Sequence, residues 1–305
     1  MVKSRATRTG PSLEVMSRMI DDMATRGAPL EYWFARLDTA DLSFLVDFIA
    51  RRRRGTAEIR ISVWVRGHGR VIRTVADSWT ATDAGVIAGD AGTWTADGSR
   101  GRVADLQWDL TWEVGDDRIA PRAPLFSRLH AFDLELVSRP SARFSGQVTV
   151  DGERFDVGTA AGSVTHYWGR RLPDRWHWIS AGTFTSPDGR RRPDMAVEAV
   201  VNRTRLWGIP PRLPTGYLWI REGGRQRLLV SPLNAVITAS GGPGRLLLTA
   251  RSPGGTVRLE CTASRDQYND LGEGIAQTLL ARCRLLDLDL SSQAGLEHRF
   301  RPTPT

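Results

Sequence analysis

Apolar and polar residues alternate with a period of two along most of the chain. The alternation is clearest in segments 57–66, 106–114 and 132–136, where apolar residues alternate with polar or charged ones. Successive side chains of a β-strand point to opposite faces, so this pattern predicts strands with one apolar face. Glycine pairs at 223–224 and 241–242 are typical of turns between such strands. The pattern therefore predicts an all-β chain built as a sandwich or as barrels.

The N-terminal region follows a different period. Apolar residues recur at helical spacing between residues 13 and 23. Ser12 is suited to cap the start of a helix, and Gly27 is suited to end it. We therefore expect residues 1–27 to form a basic tail followed by one short helix.

The chain of 305 residues is long enough for two antiparallel barrels in tandem. Asp151-Gly152 lies between two short apolar segments and predicts a tight hairpin. A run of small residues follows at 158–162, and we place the boundary between the two barrels there. The expected domains are a first barrel at 28–160 and a second barrel at 161–300.

The net charge of +8 does not by itself indicate a nucleic-acid partner. Lys3 is the only lysine among the 42 basic residues, and the arginines are scattered along the chain. Such one-sided usage is typical of a GC-rich coding bias. No helix-turn-helix, zinc-finger or RNA-binding signature accompanies the arginines. We therefore expect no nucleic-acid partner.

Several motifs that define large enzyme classes are missing from the sequence. It contains no nucleophile elbow, no phosphate-binding loop and no dinucleotide fingerprint, and its histidines and cysteines lack the spacing of a metal site. We therefore expect neither metal nor cofactor. Cys261 and Cys283 are expected to be buried thiols of a cytoplasmic protein, with a disulfide as the alternative. No apolar run reaches the ~18 residues that a membrane-spanning helix requires.

Residues 166–178 (HYWGRRLPDRWHW) are the densest aromatic segment of the chain. They contain three of its eleven tryptophans and two of its five histidines. Pro173-Asp174 favours a turn, so the two halves are expected to form neighbouring strands. Tryptophans at this density are typical of a core or of a cavity for an apolar ligand. The segment predicts an apolar chamber with a few polar groups in its wall.

Strand alternation assigns the side chains of this segment to faces. Trp176 and Trp178 share one face of the second half, while in the first half Tyr167 opposes His166 and Trp168. A similar argument places Glu31 and Trp33 on one face of an earlier strand. We expect His166 and Glu31 to be the catalytic polar groups, and the following residues to bind substrate: Trp33, Tyr167, Trp168, Trp176 and Trp178.

Four segments resemble the lipocalin-like double-barrel superfamily of tocopherol cyclases, carotenoid hydratases and lipocalin-like Diels–Alderases. They are EYWFARLDTADLSFLVDFI (31–49), GQVTVDGERFDVGTAAGSVTHYWG (146–169), RWHWISAGTF (175–184) and VRLECTA (257–263). The resemblance implies two calycin-type barrels. The chain departs from the pattern before Trp168-Gly169, where Thr165 occupies the position of a family acid and His166 that of a family base.

The resemblance also implies chemistry on a bulky apolar molecule of isoprenoid or polyketide type. Cyclisation or hydration of such a molecule needs a positioned acid and aromatic faces that stabilise a carbocation. We therefore expect a cofactor-independent enzyme whose partner is a hydrophobic small molecule. A non-catalytic carrier or sensor of the same kind of molecule, or a structural protein, would show similar tryptophans. A buried acid that faces the cavity would favour the enzyme. Peripheral contact with a membrane surface and the oligomeric state stay open.

Overall fold

The computed structural model describes residues 19–52, 56–66, 69–82, 85–121, 132–205, 207, 209 and 214–300. Most of them lie in the strands of two antiparallel sheets. Helical residues 19–23 precede the first strand, and Gly27 follows them with a φ of +69°. The all-β prediction with a short N-terminal helix is therefore confirmed, although the expected cap at Ser12 lies outside the described residues. No described helix has the length and apolar character needed to cross a bilayer.

The first sheet has 11 strands and closes on itself. The closure comes from the long strand β9, which pairs with β11 along its first half and with β8 along its second half. The strands are β1 (Leu30–Asp38), β2 (Leu42–Arg51), β3 (Thr56–Val65), β4 (Gly69–Thr82), β5 (Gly85–Ala88), β6 (Gly92–Thr95), β7 (Gly98–Val103), β8 (Leu106–Glu113), β9 (Leu134–Val150), β10 (Glu153–Asp156) and β11 (Ala160–Gly169).

The second sheet has 12 strands. They are β12 (Arg175–Ala181), β13 (Phe184–Thr185), β14 (Arg191–Arg192), β15 (Ala196–Asn202), β16 (Thr215–Glu222), β17 (Arg225–Ser231), β18 (Val236–Gly242), β19 (Arg245–Ser252), β20 (Gly255–Thr262), β21 (Asn269–Asp270), β22 (Ile275–Leu285) and β23 (Leu290–Phe300). The main path runs from β17 through β16, β15, β12, β23, β22, β20 and β19 to β18. This sheet surrounds a second apolar core.

Two local predictions have different outcomes. The hairpin at Asp151-Gly152 is confirmed, because Val150 pairs with Glu153 and both turn residues have a positive φ. The two halves of segment 166–178 are not neighbouring strands: β11 pairs in the first sheet and β12 in the second. Because β11 pairs with both β1 and β9, the passage between sheets follows Gly169 instead of residue 160.

Aromatic side chains fill the interior of the first sheet. The Trp112 ring contacts those of Trp94 and Phe144, with centroid distances of 5.0 and 5.5 Å. The indole N–H of Trp112 donates to the Ala96 carbonyl at 2.7 Å, and that of Trp108 donates to Ser99 at 2.9 Å. Tryptophan thus serves as core here. The indole N–H groups of Trp108 and Trp112 are hydrogen-bonded, whereas that of Trp94 has no partner among the described residues.

The core of the second sheet consists mainly of aliphatic residues. Cys261 and Cys283 belong to it and lie opposite each other on β20 and β22 as buried free thiols. A third apolar cluster lies between the two sheets and includes Phe34, Tyr167 and Trp178. This third cluster contains the outward face of β1 and β11, and it surrounds the candidate site.

Candidate functional site

A small cavity of about 40 Å³ opens between the two sheets. Small-molecule sites typically measure ~300–1,000 Å³, so a bulky ligand fits between the sheets only if the surrounding side chains move. We call this space the aromatic cavity, because its lining residues include Tyr32, Phe34, Tyr167, Trp176 and Trp178. Its other walls are the aliphatic residues Leu45, Leu134, Leu172, Pro173 and Val200, together with Asn202 and Glu297.

Strand pairing brings these aromatic side chains together. Tyr32 of β1 lies opposite Tyr167 of β11, and their rings stack at 5.7 Å. Phe34, two residues further along β1, contacts the edge of Trp178 at 5.3 Å across the gap between the sheets. The period of two in all three strands therefore places Tyr167, Trp176 and Trp178 around one space, as their predicted roles as substrate-binding residues require.

Glu297 is the acidic group in the wall of the aromatic cavity, and sequence analysis missed it. Its side chain is only 6% exposed. One carboxylate oxygen accepts a hydrogen bond from the Trp176 indole at 2.8 Å, and the other accepts one from the Gln277 amide at 2.8 Å. A carboxyl group has about four acceptor positions when ionised and one O–H donor when protonated, so Glu297 keeps hydrogen-bonding capacity for a ligand in either form.

A network of hydrogen-bonded polar side chains starts at Tyr32, which also lines the cavity. The Tyr32 hydroxyl donates to Asp47 at 2.9 Å, and the Arg60 guanidinium donates to the other oxygen of Asp47 at 2.8 Å. Burial raises the pKa of Asp47 to about 6, although the positive charge of Arg60 opposes that rise. Asp47 was not predicted as a site residue. Its sequence signal is a lone charge within the apolar strand SFLVDFIA.

Buried polar groups lie near the cavity as well. Among the described residues, none accepts a hydrogen bond from the Trp178 indole. Glu198 of β15 is buried as well. One oxygen of Glu198 accepts from the Tyr217 hydroxyl at 2.6 Å. Burial raises the pKa of Glu198. Unsatisfied buried groups are costly, and such groups often mark a place where a ligand or water binds.

The predicted catalytic pair lies together but on the opposite face of β1 and β11. His166 Nε2 is 3.2 Å from a Glu31 oxygen, and both side chains are fully buried. His166 Nδ1 is 3.0 Å from the Asp22 carbonyl. Neither residue lines the aromatic cavity. Their catalytic role stays a prediction, and their position associates them with the N-terminal segment.

Glu31 organises the chain that follows the N-terminal helix. Its oxygens accept hydrogen bonds from the Thr25 hydroxyl at 2.7 Å and from the backbone N–H groups of Arg26 at 2.8 Å and Ala28 at 3.1 Å. The left-handed conformation of Gly27 allows the chain to turn here. Burial alone would raise the pKa of Glu31, but the hydrogen bonds from His166, Thr25 and Arg26 lower it. Burial lowers the pKa of His166.

Trp33 and Trp168 lie beside this pair instead of beside the aromatic cavity. Trp33 stacks on His166 at 4.6 Å, and its indole donates to the Met23 carbonyl at 2.9 Å. The Arg26 guanidinium lies 5.2 Å from the Trp168 ring centroid. Both tryptophans therefore pack beneath the N-terminal segment. Within the described part of the chain, no three His, Cys, Asp or Glu side chains are arranged to hold a metal ion.

Solved structures share this architecture at low sequence identity. A structure described as AttH from Nitrosomonas europaea matches with a TM-score of 0.60 and 13% identity, over 99% of this chain and 100% of that one. Kievitone hydratase from Nectria haematococca matches with a TM-score of 0.61 and 12% identity, over 92% and 91% of the two chains. CghA matches with a TM-score of 0.62 and 11% identity, over 91% and 90%.

CghA has also been solved with Sch210972, and that structure matches with a TM-score of 0.59. No protein-family model and no curated protein sequence matches the chain. Identities of 10–13% carry information about the fold alone. The fold that the sequence motifs implied agrees with the fold of the structures that match along the whole chain. The chain therefore has the fold of these solved structures.

Proposed function

We propose that this protein is an enzyme that binds a bulky apolar molecule between its two sheets and promotes the cyclisation or hydration of that molecule. The observation that carries the proposal is Glu297, a buried carboxyl group in the wall of the aromatic cavity. A carrier of apolar molecules needs only apolar walls, and burying a carboxyl group is costly. An acid in this position is what distinguishes catalysis from transport.

The proposed chemistry starts from a carbon–carbon double bond of an isoprenoid- or polyketide-like substrate. The carboxyl group of Glu297 gives its proton to one carbon, and a cation forms on the other. The rings of Tyr167, Trp176 and Trp178 stabilise that cation, each good contact contributing ~0.5–2 kcal/mol. In hydration, a water oxygen bonds to the cation and loses a proton to the Glu297 carboxylate. In cyclisation, a hydroxyl group of the substrate takes the place of water, and the acid is regenerated in both cases.

The structural neighbours support this class of reaction. One of them is named as a hydratase, and another has been solved with the small molecule Sch210972. The aromatic residues that sequence analysis predicted for substrate binding, Tyr167, Trp176 and Trp178, line the same cavity as Glu297. The proposal needs no cofactor, since proton transfer and carbocation stabilisation are performed by side chains.

Incubation in D₂O with three substrate types tests the proposal: an acyclic isoprenoid alkene, a prenylated phenol and an unsaturated polyketide. Mass spectrometry would then measure products and deuterium. A hydrated or cyclised product with one carbon-bound deuteron is expected, and Glu297→Gln should abolish it. Glu260→Gln, which lies on the second sheet beside Arg245, is the matched control.

Two other outcomes would contradict the proposed mechanism. A cyclised product without carbon-bound deuterium would indicate a cycloaddition in the shaped cavity, with no proton transfer from Glu297. Tight binding of a test substrate without any product would favour the alternative function, a non-catalytic carrier or sensor of an apolar molecule. Loss of turnover in Glu260→Gln would show that the substitutions act through general damage to the fold.

A further inference from the structure

The structure describes all eleven tryptophans of the chain, and Trp207 is the only exposed one. Its side chain is 56% exposed, and that of Ile209, two residues further along, is 67% exposed. Neither residue belongs to one of the apolar cores or lines the aromatic cavity. Large apolar side chains that are exposed together often mark an interaction site.

Two more exposed apolar side chains lie at the same end of the second sheet. Leu233 is 69% exposed in the turn after β17, and Val236 is 42% exposed at the start of β18. Because β17 pairs antiparallel with β16, and β16 with β15, this turn and the segment after β15 lie at one end of the sheet. The Ser231 hydroxyl joins the two by donating to the Pro214 carbonyl at 2.8 Å. We call this end the apolar face, and its exposed residues are Trp207, Ile209, Leu233 and Val236.

The apolar face adjoins the aromatic cavity. Pro173 and Asn202 line the cavity, and they lie just before β12 and at the end of β15. Arg203 follows Asn202, and its backbone N–H donates to the Arg175 carbonyl at 3.3 Å. The chain then continues to Trp207. The same end of the second sheet therefore carries part of the cavity wall and the exposed apolar side chains.

Arginines outnumber acids beside the apolar face. Arg170 and Arg171 share one acid, Asp133, at 2.7 and 2.8 Å. Arg175 and Arg203 are exposed, and no acid of the described ranges lies within ion-pair distance of either. Four arginines are thus balanced by one carboxylate.

Other groups nearby do not cancel this charge. Asp174 forms an ion pair with Arg205 at 3.4 Å. Glu273 lies within 3.9 Å of two arginines. Segments 122–131 and 206–213, which border these residues in the sequence, contain three arginines and no Asp or Glu. The apolar face therefore lies beside a surplus of positive charge.

We propose that the apolar face docks onto an anionic membrane surface, with Trp207 and Ile209 among the lipid headgroups and with Arg175 and Arg203 against the phosphates. Tryptophan is enriched at membrane–water interfaces, and basic residues near an anionic leaflet add affinity. A lipid surface accepts apolar and cationic side chains together and needs no complementary pocket. Apolar molecules dissolve in the bilayer, so docking would bring the aromatic cavity close to them. This inference goes beyond the proposed function and applies to an enzyme and to a carrier alike.

Flotation of the full-length protein with lipid vesicles tests this inference. Vesicles of phosphatidylcholine mixed with phosphatidylglycerol should bind the protein at least about tenfold more tightly than vesicles of phosphatidylcholine alone. Binding should weaken as the salt concentration rises, because ions screen the attraction. Brominated lipid should quench part of the tryptophan fluorescence, and Trp207→Ser should remove that quenching because the other tryptophans are not exposed.

Loss of the apolar side chains should weaken binding to the mixed vesicles. The double variant Trp207→Ser with Ile209→Ser should lower the affinity by at least about tenfold, since buried apolar area drives interfacial binding. Leu288→Ser is the matched control, because its side chain is 46% exposed in the turn between β22 and β23, at the opposite end of the sheet. The control should bind as the unmodified protein does.

The contribution of the arginines is tested in the same way. Arg175→Gln with Arg203→Gln should lower the affinity for the mixed vesicles by about tenfold and leave binding to phosphatidylcholine unchanged. Arg190→Gln with Arg191→Gln removes the same charge from exposed positions in the β13–β14 hairpin, at the opposite end of the sheet. This control should change the affinity by less than about threefold, because the charges lie far from the docked surface.

Three kinds of result would overturn the inference. Equal binding to both kinds of vesicle, or binding to neither, would mean that the protein does not recognise an anionic membrane surface. Equal losses in the arginine variant and its control would mean that the net charge of +8 acts without a defined face. Self-association of the protein without vesicles, abolished in Trp207→Ser, would assign the apolar face to a second copy of the chain. The proposed function would stand in each case, because the Glu297→Gln experiment tests it separately.

Discussion

The two faces of β1 and β11 carry similar residue types and form two different environments. On the inward face, Glu31 and His166 are buried beneath the N-terminal segment, and the Trp33 indole donates to a backbone carbonyl of that segment. On the outward face, Tyr32 and Tyr167 border a cavity. Residues next to each other in these two strands therefore lie in different environments. Glu31 and His166 belong to a closed polar cluster, whereas Tyr32 and Tyr167 belong to the candidate site.

The difference lies in how completely the polar groups are satisfied. The Glu31 carboxylate accepts hydrogen bonds from three groups of the N-terminal segment and lies beside His166, which leaves little room for a ligand. Around the aromatic cavity, the Trp178 indole lacks a partner among the described residues, and Glu297 keeps spare hydrogen-bonding capacity. An acid beside an aromatic ring is thus a weak sign of catalysis. An acid that lines a cavity and can still form hydrogen bonds is a stronger one.

The largest effect is expected from removing the acid of the aromatic cavity. Glu297→Gln should lower kcat by about 10³-fold, since a lost general acid typically costs 10²–10⁴-fold. The amide keeps the size of the side chain, so KM should change little. The unfolding midpoint should fall, because the new NH2 group faces one of the two donors, Trp176 or Gln277, that bond to the Glu297 oxygens. Glu31→Gln makes the same chemical change on the opposite face and should leave kcat of the folded protein unaltered. Loss of turnover in folded Glu31→Gln protein would instead assign catalysis to the pair Glu31 and His166.

The second effect concerns stability. His166→Ala should lower the free energy of unfolding by about 3 kcal/mol, because it leaves the buried Glu31 without its imidazole partner and removes a ring that stacks on Trp33. Urea unfolding measures the loss, and hydrogen exchange should show faster exchange in residues 19–28. Arg154→Ala, an exposed substitution on β10, is the control. An unchanged midpoint with lost turnover would contradict the anchoring role.

Sequence periodicity predicted the strands and the side-chain faces because both depend on local alternation. It placed Trp176 and Trp178 on one face and Tyr167 opposite His166, as the structure has them. It did not show which face meets the second sheet, because that depends on pairing between segments far apart in sequence. Glu297 illustrates the limit: its neighbours in LEHRF carry no signal, and its position follows from the pairing of β23 with β12.

The third effect depends on pH and involves another buried polar pair. His177 and His298 lie opposite each other on β12 and β23, with their Nδ1 atoms 2.7 Å apart. Burial lowers the pKa of His177 to about 4 and that of His298 to about 3, from an ordinary value of 6.5. Because the unfolded chain takes up these protons first, the stabilisation is complete above pH 6.5 and declines as the pH falls toward 4.

The stability of the protein should accordingly fall by about 4 kcal/mol between pH 7 and pH 5 through this pair, about 2 kcal/mol for each histidine. Urea midpoints measured across that interval give the slope. The double variant His177→Asn with His298→Asn should have a flatter profile, whereas the exposed variant Arg154→Ala should keep the slope of the unmodified protein. A slope that persists in the double variant would assign the pH dependence to other groups, among them His166.

The smallest effect compares two buried tryptophans that differ in their place in the fold and in the hydrogen bonding of the indole N–H. Trp178→Phe should weaken binding of farnesol by about tenfold, because the smaller ring leaves part of the aromatic cavity wall empty, and it should cost little stability. Trp112→Phe removes an indole whose N–H is bonded to Ala96 in the first core, so it should lower stability by about 1–2 kcal/mol and leave farnesol binding unchanged. Calorimetric titration and urea unfolding of both variants separate the two roles. Equal losses of binding in the two variants would mean that the ligand occupies the interior of the first sheet, and the aromatic cavity would then be packing rather than a site.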